Sequence, residues 1–315
     1  MSESTHRVAV VTDSTASLPA GVAASYGIRV VPVSVVLGET AYDEGSISPA
    51  RIAQVLKDGS AAVTTSRPSP ELFAEVYRVA ASYGAKRIVS AHLPQGLSGT
   101  YESAVLASRH APVPVTVIDT ATTGMALGYA ACAGAHFAQQ GMDAEAVADI
   151  VRDTASQSFL GLYVESLEYL RRGGRVSAAR AFVATALKVH PLLAMSPQGE
   201  VKVVERVRTR GRALEHLVNR AVGSMGEQGR IDVAIHVVPN GQPTGDVRPG
   251  TPTSTDALGL ADPDLVVEVE RLGALLRERL GERIRSFQVV PLSAALAAHV
   301  GPGAFCIATV PVLSS

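Results

Sequence analysis

Four hydroxyl-rich segments stand directly after short apolar, β-prone runs. Thr12, Asp13, Ser14 and Thr15 close the run at 7–13. Thr64, Thr65 and Ser66 close a shorter one at 62–66. Gly96-Leu97-Ser98-Gly99-Thr100 follows RIVSAH at 87–92, and Asp119, Thr120, Thr122 and Thr123 follow VTVI at 115–118. In an open parallel sheet, ligands bind beyond the carboxyl ends of the strands, so these are the places to look for chemistry. Ser98-Gly99-Thr100 is the sharpest of them. It precedes a helical stretch whose first amides have no acceptor within the helix, and Gly99 lets the backbone approach a ligand closely. A hydroxyl, free amides and a positive dipole end together suit an anion such as a carboxylate, with neither metal nor lysine. A plain helix cap by Ser98 is the competing account.

Other residues admit two readings each. Asp13 would repel a carboxylate, which favours a structural role holding the Ser14–Thr15 loop through backbone amides. Arg171, Arg172 and Arg175 surround Gly173-Gly174. They form either a solvated turn or a docking point for an acidic or phosphate-bearing partner. His299 precedes Gly301-Pro302-Gly303 and is either a satisfied polar residue or a group meeting the anion across a cleft. A serine hydrolase using Ser98 is a rival reading. However, Thr100 replaces the last glycine of GxSxG, and no acid stands in triad order before His299. A binder of small phosphorylated metabolites is a second rival; no P-loop or kinase signature is present.

The elements that must position these groups read as two α/β units. Up to about residue 158, Val/Ile-rich runs alternate with amphipathic helices: 7–13, 29–37, 62–66, 87–92 and 115–120 as strands, and 49–59, 69–84, 100–110, 124–140 and 144–158 as helices. That pattern predicts a parallel sheet covered on both faces, an α/β/α domain over 1–158. From 159 to 315 the order changes: a strand with a short helix, a hairpin turning at Pro197-Gln198-Gly199, helices at 211–226 and 263–280, strands at 230–238 and 287–290, and a final helix, Gly-Pro-Gly turn and strand. This predicts a second α/β domain with a mixed sheet. Residues 240–259, rich in Pro, Gly and Thr, read as an exposed inserted loop.

Composition narrows the function. The chain has 315 residues, 47% of them hydrophobic, and a formal charge of −1, so no basic excess drives nucleic-acid binding. It has no tryptophan and little else to stack on bases or sugars. The two cysteines, Cys132 and Cys306, sit in apolar runs outside any CxxC pair and read as buried thiols in a reducing compartment. No Cys/His spacing suits a metal, and no cofactor motif is seen. The N-terminus has neither a signal-peptide nor an anchor pattern, and apolar stretches break before membrane-spanning length. A cytoplasmic location is expected, with room for transient membrane contact.

Taken together, VVTDSTASLP, TTSRPSPELF, LSGTYESA, VIDT, EYLRRGGRVSAA and HVGPGAF occur in the order of the DegV family and span nearly the whole chain, which this sequence therefore resembles. The resemblance implies a two-domain α/β protein with a long-chain fatty acid between the domains. It further implies a non-catalytic binding subunit that presents the carboxylate to a fatty acid kinase catalytic subunit, giving acyl phosphate for lipid synthesis. By motif, Thr65, Ser98, Gly99 and His299 would hold the carboxylate directly or through a network, and Arg175 would engage the kinase. Departures stand beside these positions. Arg67 replaces the usual glutamine, Pro94-Gln95 replace serines, Val300 replaces a threonine, and Phe305-Cys306 replace smaller or aliphatic residues.

Overall fold

The protein is described by a computed structural model that covers residues 7–175, 189–239 and 262–313. The stretch 240–259, expected to be an inserted loop, lies outside the described residues. In the first half, strands β1 (Val8–Asp13), β2 (Arg29–Val31), β6 (Arg87–His92) and β7 (Val115–Asp119) form a parallel sheet in the order β2-β1-β6-β7. Helices α3 (Pro70–Ser82) and α4 (Thr100–Ser108) cover one face through Phe73, Tyr77, Ala104 and Ala107. The other face meets α5 (Gly124–Gln139) and α6 (Ala144–Ser156) through Leu127, Ala131, Val147 and Val151. Helix α3 begins as its sequence dictates: Leu72 N–H donates to the Ser69 hydroxyl at 3.3 Å and Pro70 opens the first turn, satisfying end groups that would otherwise be orphaned.

The second half builds a six-stranded mixed sheet from β8 (Phe159–Tyr163), β9 (His190–Met195), β10 (Val201–Val207), β11 (Ile231–Val237), β12 (Ile284–Pro291) and β13 (Phe305–Pro311). Its order is β10-β9-β8-β13-β11-β12, and β11 and β12 alone run parallel. Helices α8 (Arg210–Gly223) and α9 (Pro263–Leu280) cover one face with Leu214, Leu217, Leu272 and Leu276. The other face turns to α5, which is buried almost all round because it is shared by two sheets. Met125, Ala126 and Tyr129 join Leu160, Ala234 and Ala308 in one core cluster. The run GYAACAGA, small at every position but Tyr129, suits a helix that must fit between two sheets.

Two expectations about the early strands need correction. The run at 29–37 is not one strand. It divides at Pro32 into β2 and β3 (Ser34–Leu37), and β3 joins β4 (Thr40–Asp43) and β5 (Val63–Ser66) in a separate antiparallel sheet, order β4-β3-β5. Proline offers no ladder donor and restricts its neighbour. The amide of Val33 leaves the ladder and donates to the Ser14 hydroxyl at 2.9 Å. Thr65 is therefore not at the carboxyl end of a parallel strand; it lies on the edge strand of this small sheet. Helix α2 (Pro49–Asp58) packs here, as does α10 (Ala294–Val300), which returns from the C-terminal half. Short α7 (Glu168–Gly173) also packs on α10, and a brief α1 (Ala20–Ser25) links β1 to β2.

Candidate functional site

Where the three sheets approach one another the structure encloses a cavity with about 760 Å³ of atom-free space, its mouth included. Leu160, Leu162, Met195, Val201 and Cys306 wall it from the mixed sheet, and Leu292, Leu296 and Val300 from around α10. Six lining residues carry polar side chains: Thr15, Thr65, Ser98, Thr123, Arg175 and His299. None is acidic. Thr15 already donates to Asp13 Oδ1 at 2.5 Å, and Thr123 to the carbonyl of Thr15 at 3.3 Å. The remaining four gather where β5, the loop before α4, the end of α7 and α10 meet.

Within this group Thr65 Oγ1 and His299 Nε2 lie 2.8 Å apart, a bond joining residues 234 apart in sequence. The other imidazole nitrogen, Nδ1, faces Gly173, where an added Cβ would lie only 2.4 Å away. The ring is therefore held at both ends. Burial, and then the charge of Arg175, lowers the His299 pKa to about 4, so the imidazole is neutral at pH 7. Ser98 Oγ accepts from Thr100 N–H at 3.3 Å and shares a 2.8 Å bond with Thr100 Oγ1. It thus supports the first turn of α4, and its own proton is free if Thr100 is the donor. Ser98 and His299 line the same cavity without bonding each other, so the nucleophile–base pair that a hydrolase would need is not assembled.

Gly99 has a reason different from the expected one. The space of its absent Cβ is taken by Arg67, whose Nη1 would lie 2.3 Å from a Cβ there. Around Gly173-Gly174 the three arginines separate. Arg171 and Arg172 are exposed and both pair with Glu168. Arg175 is half-buried, lines the cavity, and donates through Nε to Leu97 O at 3.2 Å and through Nη1 to Gly173 O.

Behind the site lies a buried network. Asp13 accepts from Thr15 N–H at 3.0 Å and Leu93 N–H at 3.1 Å and meets His92 Nδ1 at 3.0 Å. His92 Nε2 lies 2.7 Å from Ser90 Oγ, which accepts from Tyr77 OH at 2.9 Å. This chain has the residue types of a catalytic triad, yet Asp13, Ser90 and His92 have no solvent exposure. Its visible effect is to fix Thr15 and Leu93, both in the cavity wall. Sequence reasoning assigned Asp13 to holding the loop but missed His92, Ser90 and Glu44. Glu44 accepts from Ala295 N–H at 2.9 Å and from the Ser14 hydroxyl, tying the start of α10 to the loop after β1. Burial raises its pKa. No local pattern around Glu44 announces that contact. Gly173, too, was read as part of a turn and not as the seat of His299.

A parallel sheet, a small antiparallel sheet and a six-stranded mixed sheet around one apolar cavity, with two hydroxyls, a neutral imidazole and one guanidinium gathered at its wall, define a particular class of α/β protein. The model described as "Uncharacterised protein, DegV family" matches residues 7–243, and the chain belongs to the DegV family. It is similar to a DegV domain-containing protein of Streptomyces coelicolor, 41% identical over 297 residues, covering 94% of this chain and 95% of that one. It is also similar to the solved structure described as "Fatty Acid Binding of a DegV family Protein from Thermus thermophilus", with TM-score 0.81, 30% identity, and coverage of 97% and 100%. DegV of Bacillus subtilis shares the fold, with TM-score 0.81 at 22% identity over 98% and 100% of the two chains. Among the described residues no helix is long and apolar enough to cross a membrane.

Proposed function

We propose that this chain binds one long-chain fatty acid in the cavity, tail against the mixed sheet and α10, carboxylate at Thr65, Ser98 and His299. The observation that carries the reading is the junction of an apolar enclosure with hydroxyl donors whose own acceptors are filled. With His299 Nε2–H donating to Thr65, and Thr100 donating to Ser98, both hydroxyl protons are left for a carboxylate. Burying about fifteen methylenes contributes roughly 12 kcal/mol gross. The tail then supplies most of the affinity, and the polar groups fix orientation and avoid an unpaired buried anion. The likeness to the Thermus thermophilus protein at 30% identity supports the ligand class.

In this reading the chain is a non-catalytic subunit, active in the cytoplasm, that presents the carboxylate to a partner fatty acid kinase. Two observations support it. Ser98 is engaged with Thr100 and not with His299, and Arg175 stands at the cavity within a basic turn, where it would meet the partner or its phosphate. The test is organic extraction of the purified protein followed by mass spectrometry. The wild type is expected to carry about one fatty acid per chain, and Thr65→Ala with Ser98→Ala to retain several-fold less at unchanged fold. Equal lipid in the double variant would remove the head-group assignment.

A further inference from the structure

Thr65, Ser98 and His299 come from three separate places in the fold: the edge strand of the small sheet, the loop after β6, and α10 from the other half of the chain. The loop after β1 is tied to all three. Asp13 closes β1 in the parallel sheet and accepts Leu93 N–H at 3.1 Å. The carbonyl of the next residue, Pro94, accepts Leu97 N–H at 2.9 Å and Ser98 N–H at 3.3 Å, so Ser98 is registered to Asp13. Ser14 carries the register onward. Its hydroxyl accepts Val33 N–H at 2.9 Å and donates to Glu44. Glu44 N–H donates in turn to Val33 O at 3.0 Å, which closes a hydrogen-bonded ring of Ser14, Val33 and Glu44. Val33 leads into β3, where Val35 pairs opposite Thr65. The other carboxyl oxygen of Glu44 accepts Ala295 N–H at 2.9 Å, one turn before His299 in α10. Ser17 of the same loop adds a second tie to that helix, accepting Ser293 N–H at 3.1 Å. Val33 and Ala295 line the cavity; Ser14 and Glu44 stand behind its wall.

A serine hydroxyl has one proton and two lone pairs. In Ser14 the proton goes to the acid that holds the His299 helix, and a lone pair goes to the amide that starts the Thr65 sheet. Ser14 is therefore the residue at which the two ties meet. The Thr65–His299 bond spans 2.8 Å, and hydrogen bonds weaken steeply as their geometry worsens, so a small slip of either element breaks it. We propose that Ser14 is a positioning residue of the head-group site: it holds the small sheet and α10 in the register at which Thr65 and His299 bond, without touching the ligand. The inference rests on the fatty-acid reading above and adds to it a residue outside the cavity that sets affinity. A buried polar network fixes one geometry only while its members are satisfied. Without the Ser14 hydroxyl, Val33 N–H and one Glu44 oxygen lose their partner and the ring opens.

The test uses the full chain as wild type, Ser14→Ala, Ser14→Thr and Glu44→Gln, each with and without Thr65→Ala. Two quantities are read at neutral pH: the ¹⁵N resonances of the His299 imidazole in delipidated protein, and hexadecanoate affinity by displacement of a fluorescent fatty acid. Ser14→Ala is expected to shift the His299 resonances as Thr65→Ala does and to weaken hexadecanoate about tenfold, the scale of one lost hydrogen bond. Ser14→Thr keeps the hydroxyl and is expected to restore both readings. In the Thr65→Ala background, Ser14→Ala is expected to cost less than about a further twofold, because residues acting through one bond are not additive. Unchanged His299 resonances in Ser14→Ala overturn the proposal. A tenfold loss that persists in the Thr65→Ala background overturns it too, since Ser14 would then act on the fold at large. If Ser14→Ala does not fold, Glu44→Gln decides. Its amide can accept from only one of the two donors, so the same His299 shift with a smaller loss is expected, and wild-type readings there reject the proposal. A wild type that binds no hexadecanoate, with His299 still responding to Ser14→Ala, rejects the fatty-acid reading and supports the positioning of the pair.

Discussion

Gly173→Ala is a one-carbon test of how the head-group cluster is held. The new Cβ would stand 2.4 Å from His299 Nδ1, about 1 Å inside ordinary contact. The ring cannot simply back away, because Nε2 on its far side is already 2.8 Å from Thr65 Oγ1. It must rotate, and the Thr65–His299 bond is lost. A neutral hydrogen bond contributes about 0.5–1.5 kcal/mol, and a head-group donor left misaligned costs about 1–3 kcal/mol. Fatty-acid affinity is therefore expected to fall about ten- to thirtyfold, measured by displacement of a fluorescent fatty acid. Overpacking costs about 1–3 kcal/mol in stability, but alanine is favoured over glycine in a helix by about 1 kcal/mol, so the melting temperature moves by only a few degrees. Gly174→Ala is the control. Gly174 has φ +69° and no atom within 4 Å of an added Cβ, so backbone strain of about 1 kcal/mol is expected with wild-type affinity. Wild-type affinity in Gly173→Ala would refute the claim that this contact seats the imidazole.

Acid sensitivity follows from two histidines, His236 and His299, whose protonation is opposed by burial. His236 and His299 both have pKa values lowered from 6.5 to about 4, chiefly by burial. Between those values the unfolded chain holds protons that the folded chain does not, so stability is fully present above about pH 6.5 and is lost as pH falls toward 4. Each group contributes at most roughly 3 kcal/mol. Denaturant midpoints from pH 4.5 to 7 are expected to rise with pH, and His236→Gln to flatten part of that slope; a flat wild-type profile would contradict the assignment. Glu44→Ala leaves Ala295 N–H and the Ser14 hydroxyl without their shared acceptor, which costs about 2 kcal/mol. Hydrogen exchange is expected to quicken over α10 first, and uniform protection there would show that Glu44 does not anchor the helix.

Local signals carried much of this molecule. The Ser69-Pro70-Glu71 start of α3 and the Pro197–Gly199 hairpin turn are where turn and cap chemistry puts them, and α9 has the expected bounds. Thr65, Ser98, Arg175 and His299 do meet at one cavity, a convergence that motif order implied and periodicity alone could not. What stayed hidden is long-range. Residues 29–37 look like one strand because β2 and β3 are equally Val-rich; Pro32 breaks the run, and which sheet each half joins is not written in either half. Gly173 reads as a turn residue until His299 is seen beside it. Glu44 reads as a loop acid, and its partners Ser14 and Ala295 lie 30 and 251 residues away. Gly99 was expected to admit a ligand's approach, and in the structure it admits Arg67. Sequence spacing within one segment does not encode which distant side chain fills a neighbour's missing Cβ.

The most direct test is the titration of carboxyl-¹³C-labelled hexadecanoate bound to the wild type, followed by NMR. An ionised carboxylate held by Thr65, Ser98 and His299 should give one sharp resonance, resist protonation well below the range of the free acid, and shift in the Thr65→Ala, Ser98→Ala double variant. A resonance that titrates like lipid in solvent and ignores both substitutions would place the head group elsewhere.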